Sequence, residues 1–198
     1  MSKLIDLIDN SKTDKNTRHT YIPIYDQLFK RFQNKNINIL EIGIGTYAGS
    51  IQLWHEYFKT GNIYGIDNKD YRKLHTHKRI KLYHADAYNI DFINTEFVEK
   101  NITFDIIIDD GPHSRKSQRF TSKNYSKLLK DDGILIIEDI NPKKGAPEDL
   151  ILSLPSEFQK KAKIFDLNDE PLSFVDDKRQ IGINCGDNIL LIVETKNE

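Results

Sequence analysis

From Asn36 onward the chain alternates short apolar runs with amphipathic stretches, the pattern of successive βα units that build a largely parallel sheet. Strands are expected at Ile37 to Ile42, Ile63 to Ile66, Ile80 to His84, Phe104 to Ile108, Ile134 to Ile137, Lys163 to Leu167 and Ile189 to Val193. Between them, Ser50 to Lys59 places Ile51, Trp54, Tyr57 and Phe58 at helical spacing. Phe92 to Lys100 and Ser117 to Lys130 also read as helices, and so does Glu148 to Leu154 until Pro155 stops it. Residues 68 to 79 are too polar for a helix, which predicts a crossover reduced to a turn. No helix separates the last two strands; residues 176 to 187, with Gly182 and Gly186, read as a long hairpin loop. The fold class is therefore α/β: a mostly parallel seven-stranded sheet with helices on both faces and an antiparallel last strand.

Ahead of this alternation, apolar residues at 25, 28, 29 and 32 share one helical face, with Pro23 placed where a first turn tolerates it. This predicts an N-terminal helical cover over residues 1–35, laid on a body over 36–198. With 198 residues, 38% of them apolar, and no repeat, linker or low-complexity stretch, one structural domain is expected.

Lys and Arg (29) nearly balance Asp and Glu (30), for a formal net charge of -1. No global field draws such a chain to nucleic acid or an anionic membrane, so neither is expected as a partner and specificity must be local. The single cysteine, Cys185, excludes an internal disulfide framework and a cysteine-based zinc site. The start, MSKLIDLIDNSK, lacks the apolar stretch of a signal peptide, and no segment reaches the roughly 18 to 20 apolar residues of a membrane span, so a cytoplasmic location is expected.

Three segments carry chemistry. In Ile39-Leu40-Glu41-Ile42-Gly43-Ile44-Gly45-Thr46-Tyr47-Ala48-Gly49-Ser50, a strand runs through a glycine turn into a helix whose free N–H groups suit a ligand. Roughly 20 residues on, a second strand ends in Asp67, placed for ribose hydroxyls. Nicotinamide and S-adenosylmethionine enzymes share this arrangement. Glu41, two residues before Gly43, would repel a pyrophosphate but not a cationic sulfonium ligand, which favours S-adenosylmethionine. Asp86, at the end of the third strand, is placed to read an adenine amino group.

The other two segments are buried strands that end in acid pairs: Asp109-Asp110-Gly111-Pro112-His113 and Glu138-Asp139-Ile140-Asn141-Pro142. In parallel sheets ligands bind at the carboxyl ends of strands, so these acids converge with the glycine turn. Four carboxylates at one edge repel each other unless a cation sits among them, and Mg²⁺ is the simplest hard divalent ion. Adjacent strand residues point to opposite faces, so both members of a pair serve one site only where the strand ends. His113, three residues after Asp110, is a candidate general base. His55, His75, His77 and His84 are expected to take no part.

Together these segments resemble class I S-adenosylmethionine-dependent methyltransferases, and more narrowly the metal-dependent sugar O-methyltransferases of the mycinamicin and macrocin type. The resemblance runs from Thr13 to about Pro142 and includes Thr13-Asp14-Lys15 and His19-Thr20-Tyr21, which in similar proteins lie near cofactor and acceptor. It implies a Rossmann-like fold, S-adenosylmethionine and Mg²⁺ or another divalent cation as cofactors, and methylation of a hydroxyl on a sugar or sugar-containing small molecule. It also implies Asp110, Glu138 and Asp139 as metal ligands and His113 as base, with Glu41, Gly43, Gly45, Ser50, Asp67, Asp86, Asp109 and Tyr21 about the cofactor. Pro112 stands where a serine is common in that family, and from its 198 residues the chain is expected to lack the accessory N-terminal domain of the macrolide-modifying members. Assembly into a homo-oligomer is expected if the aromatic N-terminal segment covers a neighbour's site rather than its own. A catechol-type O-methyltransferase would use similar acids, but a base beside the metal fits the less acidic sugar hydroxyl better. A nicotinamide-dependent oxidoreductase or epimerase leaves the acid pairs unexplained, and a silent binding or scaffold protein would bind cofactor without turnover.

Overall fold

The computed structural model describes residues 2–168 and 186–196. Cys185, and the expected hairpin loop except for Gly186 and Asp187, lie outside the described residues. Seven strands form one sheet: β1 (Ile37–Ile42), β2 (Gly61–Asp67), β3 (Ile80–His84), β4 (Phe104–Asp109), β5 (Leu129–Ile137), β6 (Ala162–Asp166) and β7 (Ile189–Glu194). Their spatial order is β3-β2-β1-β4-β5-β7-β6. β3, β2, β1, β4 and β5 pair in parallel, while β7 runs antiparallel to both β5 and β6. The order reverses between β1 and β4, and a sheet of this kind opens its ligand crevice beyond the strand ends at that point.

The central strands are isoleucine-rich because both of their faces are buried. Side-chain alternation divides the core in two. Ile39, Ile106, Ile108, Ile134, Ile136, Leu190 and Ile192 face one layer; Leu40, Ile42, Ile107, Leu135, Ile137, Leu191 and Val193 face the other. The first layer is covered by α1 (Ile22–Phe29) and α2 (Gly49–Tyr57). There Tyr25 stacks on Phe29 at 5.0 Å between ring centres, and Phe29 meets the edge of Trp54 at 5.6 Å. The second layer is covered by α3 (Ile90–Ile93), α4 (Arg115–Asn124) and α5 (Glu148–Leu152), with Phe97, Phe104, Tyr125 and Leu150 buried beneath them. A single helical turn, α6 (Ser156–Gln159), leads into β6.

Two helices depart from the periodicity. The stretch expected to start at Phe92 begins earlier, because the Asn89 side chain accepts a hydrogen bond from the Asp91 N–H and caps α3; a wider π-helical turn over Asn94–Val98 follows. The helix expected to reach Lys130 ends at Asn124, since Leu129 already pairs with Phe104 at the start of β5. The crossover from β2 to β3 is, as expected, a turn. Arg79 anchors its end by donating to the carbonyls of Phe58, Gly61 and His55 at 2.8, 3.2 and 3.0 Å. Among the described residues no helix is long and apolar enough to cross a membrane.

Candidate active site

A cavity of about 910 Å³ opens at the carboxyl ends of β1, β2 and β4. Its floor is the turn after β1. Gly43 and Gly45 both take positive φ, +80° and +64°, a region in which only glycine is unstrained. They serve different ends. A side chain on Gly43 would begin 2.0 Å from the Asp110 carbonyl oxygen, so this glycine lets β4's end pass close to the turn. At Gly45 nothing lies within 4 Å, and the turn faces open space. Gly49, which opens α2, makes room for Lys12 rather than for a ligand: a Cβ there would meet the Lys12 Cβ and carbonyl at 2.6 Å. Residues 12–18 thus close the cavity from the side, with Lys12, Thr13, Asp14 and Arg18 in its wall. Asp67 lines the cavity from the end of β2, its Oδ2 accepting from the N–H groups of Ile44 and Gly45 at 3.1 and 3.3 Å.

Strand alternation splits each acid pair. Asp109 continues the layer of Ile107 and points beneath α4, where it is 2% exposed and accepts from Thr121 (2.5 Å), Tyr88 (2.8 Å) and the Gly111 N–H (3.1 Å). Burial raises its pKa, and these donors resist the rise. Asp110 has left the strand and lines the cavity. In the second pair Glu138 keeps the register of Ile136 and is buried against α1, whereas Asp139 turns out of the extended path at φ +53° and enters the cavity wall. Gln118 of α4 steadies that bend by donating to the Glu138 carbonyl at 3.1 Å. Asp110, His113 and Asp139 each offer one ligand atom, all within 4.8 Å of one another. His113 Nε2 stands 3.8 Å from Asp110 Oδ1 and 3.6 Å from Asp139 Oδ2. The ring is held by a backbone at φ +50°, one residue before Ser114 caps α4.

Behind this wall lies a group that spacing along the chain did not announce. Lys15, 1% exposed, sends its ammonium 2.7 Å from Asp110 Oδ2, 2.7 and 2.8 Å from the two Glu138 oxygens, and 3.4 Å from Glu41 Oε1. Burial works against the charge, but the three carboxylates outweigh it and hold the amine protonated well above the usual lysine range. Tyr25 donates to Glu138 Oε1 and Tyr21 to Asp139 Oδ1, both at 2.6 Å. Burial pushes the Glu138 carboxyl up to about 7 against the pull of Lys15, and neighbouring Asp139 adds to the rise. His19 is buried between Asp139 (3.5 Å) and Asp14 (3.9 Å), its ring stacked on Tyr21 at 4.8 Å, and burial lowers its pKa.

Of the residues singled out from sequence, Gly43, Gly45, Ser50, Asp67, Asp86, Asp110, His113 and Asp139 line the cavity. Glu41, Asp109, Glu138 and Tyr21 do not. Glu41 shares the layer of Ile39, is fully buried, and accepts from Trp54 Nε1 at 2.9 Å; its charge is answered by Lys15 instead of by a ligand. Glu41 thus lies behind the cavity wall and does not line the cavity. His55, His75, His77 and His84 do not line the cavity. Sequence reasoning passed over Lys15, Tyr25, Tyr88 and Thr121; only the presence of Lys15 in the Thr13-Asp14-Lys15 segment offered a signal.

No family model matches the chain. It is 32% identical over 129 residues to mycinamicin VI 2''-O-methyltransferase of Micromonospora griseorubida, which takes in 62% of this chain and 32% of that protein. It is 32% identical over 128 residues to demethylmacrocin O-methyltransferase of Streptomyces fradiae, with the same shares. The chain therefore spans about a third of the length of the curated relatives it matches. Among solved structures, MycE methyltransferase from the mycinamycin biosynthetic pathway, in complex with Mg and SAH, superposes with a TM-score of 0.66 at 28% identity, over 75% of this chain and 44% of that one. A second MycE complex holds mycinamycin VI as well and gives a TM-score of 0.65. In sequence and in structure alike, the chain resembles the S-adenosylmethionine-dependent sugar O-methyltransferases of the mycinamicin and macrocin type, and its seven-stranded sheet is a Rossmann-like methyltransferase fold.

Proposed function

We propose that this chain is an S-adenosylmethionine-dependent, divalent-metal-dependent O-methyltransferase acting on a hydroxyl of a sugar or sugar-containing small molecule. The observation that carries the reading is the meeting of Asp110, His113 and Asp139 in the wall of the same cavity that the glycine turn, Asp67 and Asp86 line. At about 910 Å³ the cavity has room for a cofactor and part of an acceptor. Oxygen donors with a surplus of negative charge suit a hard divalent cation, and Asp110 and Asp139 would hold it. The open turn at Gly45, the start of α2 at Ser50, and the acids Asp67 and Asp86 would hold the cofactor.

A divalent cation beside the acceptor would make a sugar hydroxyl easier to deprotonate, and S-adenosylmethionine would supply the methyl group. This chain's own residues do the rest. An unprotonated ring nitrogen of His113, 32% exposed and facing the cavity, takes the hydroxyl proton. The oxygen then attacks the methyl carbon while the carbon–sulfur bond breaks and its electron pair leaves with sulfur. Residues 12–18 and the turn at Gly43 would hold the two reactants side by side in one open cavity, where orientation accounts for much of the acceleration.

The reading is tested by calorimetry with S-adenosylmethionine and with NAD, followed by methyl transfer to a panel of nucleotide sugars, free glycosides and catechols with and without a chelator. Binding of S-adenosylmethionine, turnover on a sugar lost to the chelator, and a fall of about 10² or more in kcat for His113→Ala are expected. Binding of NAD alone, or turnover only on catechols, defeats the reading.

A further inference from the structure

Asp139 and His113 meet in the cavity wall, and both take positive φ, +53° and +50°. A residue with a side chain keeps that conformation only where its surroundings enforce it. Gln118 braces Asp139 by donating to its carbonyl at 3.4 Å as well as to that of Glu138. His113 is braced by two cations that take no part in the chemistry proposed above. Lys144, in the 3-10 turn Pro142–Lys144 that follows β5, donates from Nζ to the His113 carbonyl at 3.2 Å. Arg115, the first residue of α4, reaches the opposite way, donating from Nε to the Lys144 carbonyl at 3.5 Å and from Nη2 to the Gly145 carbonyl. Each loop thus holds the other. Both ends of this clasp are anchored: Ser114 caps α4 by accepting from the Ser117 N–H at 3.1 Å, and Asn141 caps the turn by accepting from the Lys143 N–H at 2.9 Å. Gly145, at φ +131°, leaves the guanidinium its place, since a Cβ there would stand 3.2 Å from Arg115 Nε.

We infer that Arg115 and Lys144 are positioning residues that lock the loop after β4 to the loop after β5 and so hold the His113 ring where it takes a proton from the acceptor. The inference rests on the reading of His113 as the base. His113 Nε2 stands 3.8 Å from Asp110 and 3.6 Å from Asp139, acids carried by the ends of two different strands, so its placement depends on how the two loops are spaced. With its carbonyl released, the backbone at His113 relaxes out of the left-handed region and the ring moves with it. A displacement of about 1 Å at a reacting group costs up to about 10²-fold in rate.

The test joins the NMR signal of the carbon-labelled His113 ring, assigned by its absence from His113→Ala, to methyl transfer on whichever glycoside of the panel turns over. Arg115→Met is expected to lower kcat about tenfold and Lys144→Met about threefold, with S-adenosylmethionine affinity kept within about twofold and the ring signal displaced in both. Lys144→Arg, which keeps a donor, is expected to restore both readouts. In the His113→Ala chain, Arg115→Met should change kcat by less than about twofold, because a residue that acts through the ring has nothing left to position; a merely structural residue would lower kcat again by the same factor. Lys144 is exposed, so Lys144→Met carries the test if Arg115→Met does not fold. An unmoved ring signal with full activity in both variants, or losses that add to that of His113→Ala, overturn the clasp and leave the methyltransferase reading standing. If His113→Ala keeps full activity the base assignment falls instead, and the ring signal alone decides whether the clasp positions His113.

Discussion

Gly43 and Gly45 are two residues apart, share a positive φ and line the same cavity, yet their physical roles differ. Replacing Gly45 with alanine puts a methyl group into open space, so its penalty is the left-handed backbone alone, about 1–2 kcal/mol. Replacing Gly43 adds a collision with the Asp110 carbonyl at 2.0 Å, which must move the residue that faces the proposed metal. Urea denaturation should therefore show a loss of about 1–2 kcal/mol for Gly45→Ala and a distinctly larger one for Gly43→Ala. Equal losses would show that the close approach of β4's end is not what fixes Gly43. The same contrast of near neighbours runs through the acid pairs. Asp109 and Asp110 differ by one position, but the first is a buried acceptor for Thr121 and Tyr88 while the second stands in the cavity.

At the scale of elements, α1 does two jobs at once. Its Tyr25 reaches Glu138 with a hydroxyl and packs its ring on Phe29, so the helix that closes the core also supports the acids. Phe29 is fully buried among Tyr25, Trp54 and Phe58 and touches none of the acids through a polar group. Truncation to alanine should cost about 3–5 kcal/mol of stability, read from the denaturant midpoint at constant slope. A smaller loss accompanied by a lower slope would mean that α1 docks independently of the sheet. The sequence predicted this helix and the face it buries from the apolar residues at 25, 28, 29 and 32. It did not predict that Glu138 and Asp139 receive their hydroxyl donors from α1 and the residue before it, because nothing local to Tyr21 or Tyr25 distinguishes a donor from a core aromatic.

At the scale of the whole molecule, the charge balance is near zero but unevenly placed, and one cluster away from the acids responds to pH. Away from the site, His55 packs its ring 4.5 Å from that of His77, with Arg79 beside it. Burial first, then Arg79 and His77, lower its pKa below the ordinary 6.5; Glu56 opposes the shift, and His75 adds to it. A lowered histidine stays neutral in the folded chain while the unfolded chain takes up a proton, so its contribution is present above pH 6.5 and is lost as pH falls below that value. His55→Gln should flatten the fall in Tm between pH 7.5 and pH 5.5. A fall as steep as that of the unaltered protein would place the acid sensitivity elsewhere.

The sequence by itself determined the positions of the seven strands along the chain, the antiparallel last one, the glycine turn and the collection of acids at one edge of the sheet, but not the order of the strands across it. These follow from local pattern: apolar runs of strand length, glycines where the backbone must reverse, and polar residues where strands end. Only the tertiary structure decided which acid of each pair faces the cavity, since that depends on where the strand stops alternating, and the bends at Asp139 and His113 are set by what packs against them. It also decided the counter-charge. Lys15 meets Asp110 across 95 positions and Glu138 across 123, and a contact between residues so distant in sequence exists only once the sheet has brought the strand ends together and the N-terminal segment has closed over them.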